Sequence, residues 1–336
     1  MAATSITQSR DTLITGTLQK VATPYFTDNV LRGIPLLKWL LAAGRYEPVD
    51  GGHVIVEPVW LSKNSTAKAF ARHEGLNLAV QDEGTEARYE WSRYNANVSF
   101  SFDEMAQNAG DAQILNVLKF KLEAAKGSLQ ELMAVHLHST GDATDKKTLM
   151  GLQALYANDP TTTSVGGIAT GETGWRNQAN TSAITFNTAA AGEAAWQAML
   201  VNTTYGDKGT TLIECAPAVW NLYATALRAR QEFNAPVRMP DSGFDNNALM
   251  FGSVPVIWDR HVSQTDDGSG LDGPGTTYSY FIDTNSVRLG YHPAFNFKVD
   301  DPVRDADYPG LIWRIFWQGQ LLANSRRTGG VITNQS

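Results

Sequence analysis

Gly151-Leu-Gln-Ala-Leu-Tyr156, then Asn158-Asp159-Pro160 and a threonine run, then Val165-Gly166-Gly167-Ile168, and finally Gly174-Trp175-Arg176-Asn177 is the stretch that decides the reading of the fold. It is a polar loop held between two short apolar anchors, and it follows a long heptad-patterned helix. Such a segment suggests a scaffold crossing from one domain to another.

Upstream, Asp111 suits an N-cap. Leu115, Leu118, Leu122, Ala125, Leu129, Leu132 and His136 then recur at alternating spacings of three and four, while Lys119, Glu123, Lys126 and Gln130 form a solvated opposite face. A helix from Ala112 to His138 would be about 40 Å long. Gly127 in its middle costs about 1 kcal/mol relative to alanine and suggests a bend or a close contact. A coiled coil is the alternative, but the pattern stops near Ser139 and lacks consistent flanking charge pairs. A long helix packed on a sheet fits better.

Residues 1–27 are rich in Thr, Ser and Gln and look like an arm without a core of its own. A short helix should follow, with Pro35 in its first turn and Gly44 just past its end. Leu36, Leu37, Leu40 and Leu41 give it an apolar face that needs a partner surface. From Arg45 to Phe102 the period shifts towards two. Val54 to Trp60 reads as a strand that Pro58 confines to an edge. Tyr89 and Trp91 alternate with Arg88, Glu90 and Ser92, and extended character continues to Phe102. Between these arms lies a polar stretch, Ser62 to Glu86. A hairpin of about 20 residues per arm would reach roughly 65 Å at strand rise. A lone two-stranded ribbon is marginally stable in water, so it must lie on something, a neighbouring subunit being one candidate.

Beyond the crossing the pattern mixes α and β. Ala189 to Val201 and Pro217 to Arg230 read as helices, Thr210 to Glu214 as a short strand, and Leu249 to Trp258 as a strand pair around Gly252 and Pro255. Thr265 to Thr277 reads as a flexible Gly/Asp loop. Tyr278, Tyr280 and Ile282 alternate in a strand, as do Leu311, Trp313, Ile315 and Trp317. Arg326 to Ser336 looks like a frayed tail.

The 336 residues allow two or three domains, and 43% hydrophobic with 18% charged residues is ordinary globular composition. A net charge of −7 gives no electrostatic footprint for nucleic-acid binding, since phosphate binding needs a clustered basic face. Cys215 is the only cysteine, which precludes an intrachain disulfide and suits a reducing compartment. Met1 to Thr12 holds no apolar signal core, and the densest apolar run, Ile34 to Ala43, is too short to span a bilayer. A soluble, non-secreted chain is the expectation. Nine tryptophans are plentiful; large aromatics anchor interfaces as well as cores, with core burial the commoner fate of any one.

Motifs that carry chemistry are sparse in the chain. His136 and His138 sit two apart on a helix and diverge by about 200°, so they cannot share a metal. Paired cysteines and His-Glu-x-x-His are absent. Asp266, Asp267, Gly268, Gly270 and Asp272 lack the closing glutamate of a calcium loop. Gly273-Pro274-Gly275 lacks the third glycine of a dinucleotide fingerprint, and Ser269 lacks the spacing of a nucleophile elbow. Cys215 would need His261 or another base to act as a nucleophile, and a buried packing role is the stronger reading. The expectation is no catalytic residue, no cofactor and no metal site.

The order of elements, the Gly151–Asn177 crossing, Phe251-Gly-Ser-Val-Pro-Val-Ile-Trp-Asp259, and Tyr278-Ser-Tyr-Phe-Ile-Asp-Thr-Asn285 together resemble the major capsid proteins of tailed phages. Gly319 and Gln320 sit in a last strand of the kind such proteins have. The resemblance implies an α+β Hong Kong 97-type fold with an N-terminal arm, an extended β loop, a long spine helix in a peripheral domain, and an α/β axial domain. On this chain the parts correspond to 1–44 (arm and short helix), 45–102 (β-hairpin loop), 103–149 (spine helix), 150–285 (axial domain) and 286–336 (peripheral strands and tail).

The implied function is a self-assembling icosahedral head shell, made of hexamers and pentamers and located in the virion after assembly in the host bacterial cytoplasm. It would enclose double-stranded DNA without sequence-specific binding and without a membrane. Trp60, Lys63, Tyr89 and Trp91 are the candidate subunit contacts. Separate scaffolding, portal and decoration proteins are the implied partners, since little room precedes the arm for a built-in scaffold. Lys63 and Lys68 lie where some relatives crosslink, but ordinary surface lysines are the simpler reading. An encapsulin-like compartment is the nearest alternative, and a monomeric β-rich hydrolase or glycan-binding protein is the alternative from a different class.

Overall fold

The alternation of Leu311, Trp313, Ile315 and Trp317 builds the strand on which half the molecule is organised. A computed structural model describes residues 34–80, 83–103, 111–141, 147–186, 189–229, 249–262, 275–304 and 309–336. In it, β13 (Gly310–Ala323) pairs antiparallel with β4 (Ser92–Ser101), from Gly310 opposite Ser101 to Gly319 opposite Ser92. Its distal part pairs with β10 (Val287–Tyr291), which runs parallel to β1 (Tyr46–Pro48). Short strands β11 (Lys298–Val299) and β12 (Val303–Arg304) also pair with β13. Trp313, Ile315 and Trp317 are buried to within 1%.

The predicted spine helix is α2 (Asp111–His138), 28 residues and about 42 Å long. It lies against β4, with Lys121 Nζ donating to the Ser99 carbonyl at 2.6 Å and sitting 4.4 Å from the Phe100 ring. The expected cap Asp111 and stripe residues Leu115, Leu118 and Leu122 have side chains outside the described residues. Further on, Leu129, Met133, Ala134, Val135, His136, Leu137 and His138 are all buried. The final turns are therefore enclosed on every side, more than a single apolar stripe foretells. Gly127 is exposed, and a Cβ built there meets nothing within 4 Å, so no close contact requires glycine. Gly127→Ala is expected to stabilise the chain by about 1 kcal/mol, roughly 1–2 °C in Tm, and a thermal melt that falls would contradict this.

The first helix is α1 (Pro35–Ala42), with Gly44 at φ +69 just past its end. Only part of 45–102 is the expected hairpin, because its outer strands, β1 and β4, belong to the sheet of β13. The ribbon proper pairs β2 (Val54–Trp60) with β3 (Gly84–Glu90) over seven positions, so it spans about 23 Å instead of roughly 65 Å. Its tip between them lacks regular structure over the described residues. The ribbon lies on its own chain, with Ile55, Val59, Ala87 and Tyr89 facing inward. Glu57 shares that inward row and is 5% exposed; the Arg288 guanidinium binds it together with Glu47.

The second sheet has the order β5 (Gln178–Asn180), β14 (Gly330–Ile332), β9 (Ser279–Ile282), β6 (Leu212–Cys215), β8 (Val254–Trp258) and β7 (Leu249–Phe251). Helices α3 (Ala189–Thr203) and α4 (Pro217–Ala229) pack on it, and Trp196 centres an aromatic cluster with Phe186, Tyr223, Phe251 and Phe281. The expected frayed tail is instead strand β14, held between β5 and β9. Val331 and Ile332 are fully buried, and Gln335 accepts from Trp196 Nε1 at 2.7 Å and donates to Ser279 Oγ at 2.9 Å. An unpaired sheet edge leaves backbone groups without partners, and three apolar-compatible residues suffice to fill it. The predicted arm 1–27 and most of the Thr265–Thr277 loop, including the Asp266–Asp272 run, Gly273-Pro274 and Ser269, lie outside the described residues.

Candidate functional site

The crossing segment is stapled by its own side chains. Val165-Gly166-Gly167-Ile168 closes a tight hairpin turn, with Gly166 and Gly167 at φ +67 and +73, a conformation that favours glycine. Trp175 Nε1 donates to the Val165 carbonyl at 3.0 Å, and Asn177 Nδ2 donates to the Ala157 carbonyl at 2.9 Å. From the far end of the chain, Arg326 enters with 1% exposure. Its Nε donates to the Leu155 carbonyl at 2.6 Å and its Nη2 to Asn177 Oδ1 at 2.8 Å, and it lies 5.8 Å from the Trp175 ring. Burial lowers its pKa to about 10. The ribbon seats on the same segment, as the Arg88 N–H donates to the Gly166 carbonyl at 2.9 Å.

Of the four expected subunit contacts, two face outward. Trp60 is 56% exposed, and Lys63 is exposed beside it, 5.9 Å from the Tyr205 ring. Tyr89 and Trp91 instead spend their surface inside the chain. The Tyr89 hydroxyl donates to the Ala323 carbonyl at 2.9 Å, and Trp91 Nε1 donates to the Gly52 carbonyl at 2.9 Å. The reason is strand parity: Tyr89 shares the inward row of β3 with Ala87. Four further exposed apolar side chains cluster in the ribbon tip, where Phe70, Leu76, Leu78 and Val80 are 67%, 61%, 87% and 99% exposed; Phe120 and Val201 are exposed elsewhere. Of the nine tryptophans, Trp60 and Trp258 are exposed.

Where the last turn of α2 meets the second sheet, a buried charge cluster forms that the sequence did not reveal. His138 from α2, Glu214 from β6 and Asp259 just past β8 are at most 2% exposed. His138 Nδ1 bonds the Ala134 carbonyl at 2.8 Å, and a carbonyl only accepts, so this nitrogen carries a proton. His138 Nε2 then faces Glu214 Oε1 at 3.4 Å and Asp259 Oδ2 at 4.0 Å. The other Asp259 oxygen accepts from the His261 backbone N–H at 2.9 Å and meets its Nδ1 at 2.6 Å. His261 stacks on His138 at 6.3 Å and reaches Glu131 with Nε2.

Burial alone would lower the His138 pKa; Glu214 and Asp259 outweigh it and push it up to about 9. Burial raises Glu214. Burial also opposes ionisation of Asp259, but His138 and His261 hold its carboxyl below the usual range. The expected divergence of the two helix histidines is present. His136 turns to the Tyr94 hydroxyl, 2.8 Å away, and His138 to the carboxylates. Cys215 is fully buried with Sγ against the Ile257 carbonyl, and burial pushes its thiol pKa far up, which rules out a thiolate nucleophile. No sequence motif could have flagged the cluster, because its members come from three separate elements.

No protein-family model matches the chain, and no curated protein matches its sequence. Its fold does match solved structures. The capsid asymmetric unit of cyanophage A-1(L) superposes with a TM-score of 0.60 at 16% identity, over 87% of this chain and 90% of that one. The holo-SrpI encapsulin complex from Synechococcus elongatus PCC 7942 gives 0.55 at 13% identity, over 89% and 88%. The capsid of Myoviridae phage XM1 gives 0.53 at 10% identity, over 87% and 90%. The chain has the α+β Hong Kong 97-type capsid fold.

Proposed function

We propose that this chain is a major capsid protein, self-assembling into the icosahedral head of a tailed double-stranded DNA phage. The observation that carries this is a fold match to capsid subunits spanning nearly nine-tenths of both chains. The division into arm and short helix (1–44), a loop region holding the β2–β3 ribbon (45–102), spine (103–149), axial domain (150–285, joined by strand β14) and peripheral strands from 286 onward belongs to the same proposal. Hexamers and pentamers are the expected rings, with contacts between unlike faces of neighbouring copies. The ribbon tip supports this, since Phe70, Leu76, Leu78 and Val80 expose apolar surface that a neighbouring copy would cover. Trp60 and Lys63 at the base of that tip remain the proposed contact residues. DNA would fill the interior without a sequence-specific grip, consistent with a net charge of −7. Scaffolding, portal and decoration proteins are the further partners, and assembly would take place in the host cytoplasm.

Size exclusion and electron microscopy of the purified chain test the reading. Closed shells are expected, whereas a stable species near 36.6 kDa under all assembly conditions would sink it. Nuclease-protected DNA in particles from infected cells separates a phage head from an encapsulin-like compartment holding protein. Leu78→Ser with Val80→Ser should cut shell yield by more than tenfold, as loss of an interface anchor costs 2 kcal/mol or more. The Tm of the unassembled subunit should be nearly unchanged, because both side chains are exposed.

A further inference from the structure

We propose that His138, Glu214 and Asp259 form a binding site for a first-row divalent cation of the zinc type, which latches the end of the spine helix to the second sheet. The donors, one nitrogen and carboxylate oxygens, lie within 4.8 Å of one another and come from three elements. His138 Nε2, both Glu214 oxygens and Asp259 Oδ2 are buried with no hydrogen-bond partner. Four such atoms converging in one enclosed place are costly unless something positive joins them.

A proton and a metal ion are the two candidates. With Nδ1–H committed to Ala134, a single proton, on His138 Nε2 or on the buried Glu214 carboxyl, supplies one donor. The Nε2 separations of 3.4 and 4.0 Å from the carboxylates exceed the 2.7–3.2 Å of a good hydrogen bond, and one donor cannot join all the unpartnered atoms. A metal serves all of them. Tetrahedral zinc with bonds near 2.1 Å places its ligand atoms roughly 3.4 Å apart, the separation of His138 Nε2 from Glu214 Oε1. The His138–Asp259 separation of 4.0 Å, within a donor set spread over up to 4.8 Å, means that Asp259 would need to move inward by roughly 0.5 to 1.5 Å.

The surroundings resemble those of a held ligand set. Zinc-bound histidines donate their other ring nitrogen to a carbonyl or carboxylate, as His138 Nδ1 does to Ala134. Ligating carboxylates are themselves hydrogen-bonded, as Asp259 Oδ1 is by the His261 backbone and ring, leaving Oδ2 for the site. Mixed imidazole and carboxylate donors suit zinc and its neighbours better than magnesium, which prefers an octahedral oxygen shell.

The test uses the full chain purified with zinc and then passed into metal-free buffer. Elemental analysis should find about one zinc per chain and no retained magnesium. X-ray absorption at the zinc edge should show one imidazole with oxygen ligands. Glu214→Gln with Asp259→Asn, which keeps the shapes, should weaken zinc at least a hundredfold by chelator competition. Absence of retained zinc in the wild type would overturn the proposal in favour of a protonated His138. Undiminished binding by the double variant, or a sulfur or multi-imidazole shell in the wild type, would overturn it equally. The absorption measurement decides the matter even where the variant does not fold.

Discussion

Gly151→Ala is expected to destabilise the chain by roughly 3 kcal/mol or more, at the upper end of overpacking costs. A Cβ at Gly151 would overlap the Ser139 carbonyl oxygen and lie 2.5 and 2.7 Å from those of His136 and Leu137. All three belong to the end of the spine helix or the residue after it, and backbone cannot step aside as a flexible side chain can. Backbone conformation is not the cause, because Gly151 sits at φ −80 and ψ 176, open to any residue. Close approach is. Thermal unfolding of the isolated subunit measures the effect, expected as a Tm fall of about 4 °C. The same substitution at Gly127, where a Cβ meets open space, should shift Tm the other way. Equal shifts at the two sites would refute the packing argument.

Arg326→Ala should cost about 4 kcal/mol. It strands the Leu155 carbonyl and Asn177 Oδ1 without donors, and it leaves a cavity beside Trp175. Relief from burying a guanidinium offsets part of this, but the vacated volume and two stranded acceptors outweigh it. Arg326→Lys separates the contributions: the charge remains, yet a single ammonium cannot span both acceptors, so about 2 kcal/mol should still be lost. Denaturant melts give both values. An Arg326→Ala chain as stable as the wild type would show that the crossing segment does not depend on this residue.

Elements with a strong local period were legible from the chain. Leu311 to Trp317 alternates because one strand face is core, and Val54 to Trp60 because a ribbon has an inside. Pro35 and Gly44 bracket a helix by their backbone limits alone. The end of the chain was not legible. Gly330-Val331-Ile332 is too short to show a period, and the polar residues around it read as a terminus. Tyr89 and Trp91 looked like contacts because aromatics suit interfaces, but tertiary packing turns Tyr89 onto the Ala323 carbonyl and Trp91 onto the Gly52 carbonyl and the His292 ring.

The charge cluster was illegible for a further reason. His138, Glu214 and Asp259 each look ordinary in their own element, and only the packing of α2 against β6 and β8 makes them one group. The sequence by itself determined the kinds and order of the elements, since hydrophobic period and backbone limits act over a few residues. Tertiary structure alone decided that Arg326 completes the crossing, that the last residues form a strand, and that three ionisable side chains share a buried site. Those outcomes depend on contacts between residues far apart in the chain, and no local pattern encodes them.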